Sequence, residues 1–157
     1  MQEQTMLDSV DRRMLAVLQE DGRITNQDLS QKVGLSPTPC LRRLKRLEDT
    51  GVIQGYSATV DPKAYGLPFS VFVSVRLSQQ TQENIAEFEK AVEGWGEVTE
   101  CYLMTGSQDY LLRVLTDGIE GYERFLKQKM TRLKCIQSVE SNFALATVKK
   151  RIGLPPI

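Results

Sequence analysis

VGLSPTPCLRRLKRLEDTGVIQGY, residues 33–56, is the stretch on which the reading of this chain turns. Ser36 opens a helix with Pro37 in its first turn, where a missing N–H is no loss. The helix runs to about Thr50, and Gly51 stops it. On a helical wheel Leu41, Leu44 and Leu47 fall on one side with Cys40 beside them. Thr38, Arg42, Lys45 and Arg46 fall on the other, and Arg43 lies at its edge. Four cations therefore decorate a short helix with no acid before Glu48. Such a face pairs with phosphates and presents guanidinium forks to guanine edges in the major groove. A solvated basic face on a small bundle would carry the same charges. The Gly34-Leu35-Ser36 turn before the helix and the β-formers after it favour a helix-turn-helix, whose second helix reads DNA.

Upstream, two more helices are expected. The first spans about Ser9 to Glu20, with Val10, Met14, Val17 and Leu18 as its stripe, Asp8 and Ser9 as caps and Asp21-Gly22 as its stop. The second follows Thr25, which with Asp28 resembles a capping box; Leu29 and Val33 form its buried face. The acids Asp8, Asp11, Glu20, Asp21 and Asp28 lie on these helices, so this half is near neutral but strongly polarised. Downstream, Val52 to Val60 reads as a short strand or a two-stranded wing broken by Gly55. Asp61-Pro62 and Gly66-Leu67-Pro68 are breakers. These features outline a winged helix-turn-helix domain over 1–60, a hinge over 61–68 and a second domain over 69–157.

The second half changes period. Phe69, Val71, Val73, Val75 and Leu77 alternate with polar residues, which is the signature of a strand. Thr81 to Val92 is helical, Val98 to Met104 and Tyr110 to Leu115 are strands, and Ile119, Tyr122, Leu126, Met130 and Leu133 trace another helix. Ile136 to Val148 is a last strand. The order βαββαβ predicts a ferredoxin-like domain with an antiparallel sheet, so the fold class is α+β. The five residues from Thr105 to Asp109 join two strands and read as a plain hairpin, with Gly106 free to take positive φ and Asp109 capping the turn. Two helices can cover only one side of a four-stranded sheet. With Phe72 among the serines of the first strand, the other side calls for a partner.

Composition narrows the function. The chain has 157 residues, 20 Lys and Arg against 20 Asp and Glu, and no histidine. The missing histidine removes the commonest metal ligand and general base, so neither an enzyme nor a metal or cofactor site is expected. Cys40, Cys101 and Cys135 form no paired framework, and Cys40 on the apolar side reads as a core thiol rather than a redox sensor. Glu97 and Glu100 read as a solvated edge, Trp95 as a packing residue and Lys149-Lys150-Arg151 as a solvated tail. The opening MQEQTMLDSVDRR lacks the apolar core of a leader, and no segment approaches the roughly 18 apolar residues of a membrane span. A cytoplasmic location is expected.

Residues 33–56 closely resemble the helix-turn-helix and wing of the Lrp/AsnC, or feast/famine, family of transcription regulators. LDSVDRRMLAVLQEDGR before them, Asp61-Pro62 and Gly66-Leu67 after them, and ECYLMTGSQDYLLRV at 100–114 are similar to the family too. The resemblance implies DNA as a partner, amino acids as effectors, and homodimers that assemble into octamers or other multiples of dimers. It assigns DNA contact to Ser36, Thr38, Pro39 and Arg42, and to Arg43, Lys45 and Arg46. It also makes the hairpin an effector site. Backbone N–H groups of Thr105, Gly106 and Ser107 would face a carboxylate, Asp109 would balance an ammonium, and Tyr102, Met104 and Tyr110 would wall an apolar side chain. Where the family loop often reads Gly-Asp-x-Asp, this chain has Gly106-Ser107-Gln108-Asp109, so the first acid is absent. The expected function is a sequence-specific transcription regulator modulated by a small amino acid, with a branched-chain or other apolar one as first guess. An effector-independent, DNA-wrapping architectural protein is the alternative.

Overall fold

The computed structural model describes residues 6–150 and 153–155; Arg151 of the basic tail lies outside the described residues. The chain divides into two compact units, one on the residues up to Thr59 together with the segment from Val148, the other on Val60–Thr147.

The first unit holds α1 (Ser9–Glu20), α2 (Asn26–Val33) and α3 (Pro37–Asp49). Asp8 caps α1, accepting from the N–H groups of Val10 and Asp11, while Asp11 reaches back to the Asp8 N–H at 3.1 Å. This closes a capping box with Asp11 in the place of the commoner Glu. Thr25 caps α2 by accepting from the Asp28 N–H. Gly34 ends it at φ 74, a left-handed conformation that glycine adopts without strain, and turns the chain into α3. Met14, Leu29, Val33 and Cys40 form a small core, with Val10, Val17, Leu18 and Leu44 packed around it. Cys40 is a buried free thiol, and desolvation holds it above the usual thiol range.

The segment expected as a strand or wing is different. Val52 to Val60 is mostly exposed, and among the described residues no strand precedes Phe69. A strand needs a ladder partner, and this segment has none here. It is held instead by side chains: Tyr56 donates to Glu48 at 2.9 Å and lies against Gly22. Residues 61–68 form a tight turn, closed by the Tyr65 N–H to the Asp61 carbonyl and the Leu67 N–H to the Pro62 carbonyl.

The second unit runs β1 (Phe69–Leu77), α4 (Gln82–Glu93), β2 (Val98–Leu103), β3 (Tyr110–Thr116), α5 (Ile119–Gln128), a 3-10 turn (Met130–Arg132) and β4 (Ile136–Phe143). The sheet is antiparallel in the order β2-β3-β1-β4. Val71, Val73, Val75, Leu112 and Val114 meet Phe88 of α4 and Tyr122 and Phe125 of α5 in one core. Trp95 lies edge-on to Phe88 and Phe125 within it, the packing role expected of it. Two boundaries move. The helix traced through Leu133 stops at Gln128 and finishes as the 3-10 turn, which keeps Met130 buried. The strand expected to reach Val148 ends at Phe143 opposite Val71, with one further bond from the Ala144 N–H to the Ser70 carbonyl. The face opposite the helices carries Phe72, Leu111, Arg113 and Tyr102, none fully buried. No helix among the described residues is long and apolar enough to cross a membrane.

Candidate nucleic-acid interface and ligand pocket

Cys40 and Leu47 anchor α3, and Asn26 of α2 donates to the Pro37 carbonyl at 2.9 Å, fixing the start of the helix. The cations then divide. Arg43 donates to Asp8 at 2.6 Å and to Asp11 at 2.9 Å, and Arg46 donates to Asp11 at 2.6 Å. Asp11 is fully buried, so one carboxylate serves the α1 cap and two guanidinium groups at once. The Asp8 carboxyl is lowered to about 2, first by the Asp11 backbone N–H and then by Arg43. Arg42 and Lys45 are exposed and form no ion pair among the described residues.

Ser36 and Thr38 are exposed, and the Ser36 side chain makes no capping bond, so its hydroxyl is free; Pro39 is half-buried. Of the residues marked out for DNA contact, Ser36, Thr38, Arg42 and Lys45 stand free, while Arg43 and Arg46 turn back to α1. Arg46 keeps 43% of its side chain exposed while paired. Leu41 leaves the apolar side and is 41% exposed, because the buried stripe centres on Cys40, Leu44 and Leu47.

In the second unit a cavity of about 250 Å³ opens beside the hairpin, lined by Met104, Thr105, Ser107, Gln108 and Tyr110, with Ser74 and Leu111 from the strands. Ser74 and Leu111 are directly opposed in the β1–β3 ladder and lie on the face without helices. Gly106 takes φ 119 and makes the turn without lining the cavity. Tyr102 is exposed and donates to Glu100 at 3.2 Å. Tyr110 is buried with its ring 4.5 Å from Phe88, and its hydroxyl donates to Glu89; desolvation and that carboxylate push it above the usual tyrosine range.

Asp109 is not on the lining. Its Oδ2 accepts from the Leu77 N–H at 2.7 Å and its Oδ1 from Gln80 at 2.6 Å. Its own N–H donates to Val75 and its carbonyl accepts from Met104. The β1–β3 register ends at Val75 opposite Tyr110, and the carboxylate takes over the strand-end N–H that the ladder leaves. Glu97 and Glu100, read above as a solvated edge, are half-buried and have separate cations: Lys129 at 2.5 Å and Arg113 at 2.9 Å.

Three features lay outside the sequence reading. In the sequence Asp11 is one acid among several on a neighbouring helix, although Arg43 and Arg46 are spaced to reach one point together. Ser74 and Leu111 needed the pairing of β1 with β3, a long-range fact. Gln108 was the unassigned residue of the loop; a side-chain amide within so short a turn was the available signal.

Comparison with known proteins bears on both units. Residues 7–54 match a winged helix-turn-helix DNA-binding model, and residues 70–154 match the Lrp/AsnC ligand binding domain. The chain is 42% identical over 151 residues to the Bkd operon transcriptional regulator of Pseudomonas aeruginosa, covering 96% of this chain and 98% of that protein. It is 39% identical over 144 residues to the leucine-responsive regulatory protein of Escherichia coli, covering 92% and 88%. A transcriptional regulator of Neisseria meningitidis, solved as a complex with L-methionine, superposes with a TM-score of 0.91 at 37% identity, covering 96% and 97%.

Proposed function

The chain belongs to the Lrp/AsnC family of transcription regulators, and from that premise we propose how its two units divide the work. It is a DNA-binding regulator and not an enzyme, with an effector-modulated ligand-binding domain. In our reading α3 enters the major groove with Ser36, Thr38, Arg42 and Lys45 toward the DNA, while Arg43 and Arg46 hold the helix in place. The observation that carries this is the pairing pattern: Arg42 and Lys45 are exposed and without an ion pair among the described residues, whereas the buried Asp11 engages their neighbours. Arg46, still partly exposed, adds a phosphate contact.

The hairpin cavity takes a small amino acid. Met104 and Leu111 supply an apolar wall, and Thr105 and Ser107 supply hydroxyl and backbone donors for a carboxylate. The relatives named for leucine and solved with L-methionine make those two the first compounds to try. The sheet face around Phe72 pairs with a second copy, giving a dimer or a multiple of dimers working in the cytoplasm.

The test is a thermal-shift screen of the protein amino acids, followed by DNA mobility shifts with and without each compound that binds. A ligand that prefers the folded chain raises its melting temperature. The expected coupling is roughly 5–150-fold in DNA affinity. DNA binding that no amino acid alters would leave the architectural reading in its place, and a strictly monomeric mass at micromolar concentration would remove the partner from the sheet.

A further inference from the structure

Resting on the ligand reading above, we infer that the Gln108 side-chain oxygen, and not the Asp109 carboxylate, receives the ammonium group of the amino acid. The two acceptors at the hairpin stand in opposite conditions. Asp109 is buried, turned away from the cavity lining, and holds Leu77 and Gln80 with its two oxygens. Swinging it toward a ligand would strip both the Leu77 N–H and the Gln80 amide of their acceptor, a loss that a new bond would first have to offset. Gln108 lines the cavity, and its Oε1 is buried without a hydrogen-bond partner. A buried polar atom left unpaired is rare in a folded protein. Here it sits in the wall of a cavity of about 250 Å³, below the roughly 300–1,000 Å³ of drug-sized pockets.

The missing partner is a hydrogen-bond donor. Every free amino acid brings one as its ammonium group, and a bond to a charged donor is the stronger kind. With Ser107 where the family loop often has an acid, no free carboxylate lines this cavity, so recognition of the cation falls to a neutral carbonyl dipole. Ser74, Thr105 and Ser107 leave hydroxyl donors for the other end of the zwitterion. The ligand class is therefore an amino acid with an unmodified primary amine. Its N-acetyl derivative keeps only an uncharged amide N–H and its 2-oxo acid has no N–H at all, so the first is expected to bind more weakly and the second weakest.

Calorimetric titration of the full-length protein with L-leucine, L-methionine and then the remaining protein amino acids tests this. For the one that binds best, Gln108→Leu is expected to weaken binding roughly ten- to a hundredfold. Gln108→Glu keeps an acceptor and is expected to bind as well as wild type or better. Asp109→Asn can still accept from Leu77, with the Gln80 amide turned to match, and stays within a few-fold. Unaltered binding by Gln108→Leu overturns the inference, as does a loss in Gln108→Glu equal to that in Gln108→Leu. If Asp109→Asn fails to fold, the two Gln108 variants decide, since that side chain lies outside the buried core. A wild type that binds no amino acid overturns the ligand reading itself, and this inference with it.

Discussion

The two units of this chain are held together by different physics. The sheet unit has a broad apolar core of valines and aromatics reaching from β1 to α5. The helical unit has a core of four buried side chains and a charge cluster of Asp8, Asp11, Arg43 and Arg46 beside it. Where apolar area is scarce, ion pairs set how the DNA-reading helix is held. Where it is plentiful, charge is left for local tasks such as closing a hairpin. The lesson concerns function as much as stability, for in both units burial decides which charged groups remain open to a ligand.

Phe88→Ala should have the largest effect. It empties a fully buried site between Trp95 and Tyr110 and should destabilise the sheet unit by about 3–5 kcal/mol. Trp95 is the one tryptophan of the chain, so its fluorescence in a urea titration follows this unit alone. An equal loss from an exposed substitution such as Lys45→Ala would erase the contrast.

Asp11→Ala comes next. Removing a buried partner of two cations costs about 3–5 kcal/mol when both ions are buried. Here Arg43 and Arg46 are partly exposed, so about 1–3 kcal/mol is expected. Far-UV dichroism should register the loss while Trp95 fluorescence does not. A change in both signals together would mean that the units unfold as one.

How much of this was legible in the sequence follows the same division. Strands β1 and β3 stood out because one residue in two is buried, and the caps Asp8, Thr25 and Gly34 because their chemistry is local. The cationic helix was legible as a charge pattern, but which cations were free was not, since Asp11 lies more than thirty residues away from its two arginines. The bonding of Asp109 was hidden for a related reason. In a linear reading an acid in a loop is available, and only the fold brings the Leu77 N–H and Gln80 to occupy it. The strand expected at 52–60 is absent among the described residues, because strand-forming residues do not make a strand without a partner.

Two smaller effects sharpen the contrast within α3. Arg42→Ala should weaken specific DNA binding by about 1–3 kcal/mol with an unchanged melting temperature, as expected for an exposed side chain with no ion pair among the described residues. Arg43→Ala should lower the melting temperature as well, because it also releases Asp8 and Asp11. Identical profiles for the two variants in mobility shifts and melting curves would contradict the division of cations.

The smallest effect is that of acid. Asp8 has a folded-state value of about 2 against an ordinary 3.8, so its contribution is complete above that ordinary value and fades as pH falls through about 2. Between pH 5 and 2 the advantage of the wild-type helical unit over Asp8→Asn should shrink, measured by melting temperature. A difference that is undiminished between pH 5 and 2 would point away from Asp8.

The four bonds that converge on Asp109 have a consequence in time as well as in space. The amide protons of Leu77, Met104 and Asp109 belong to three places in the sequence but to one fastening. None can meet solvent until the end of β1 and the hairpin part, so all three should exchange for deuterium at a common rate, as one opening event. A molecule resting against the loop need not touch any of them to slow all three together.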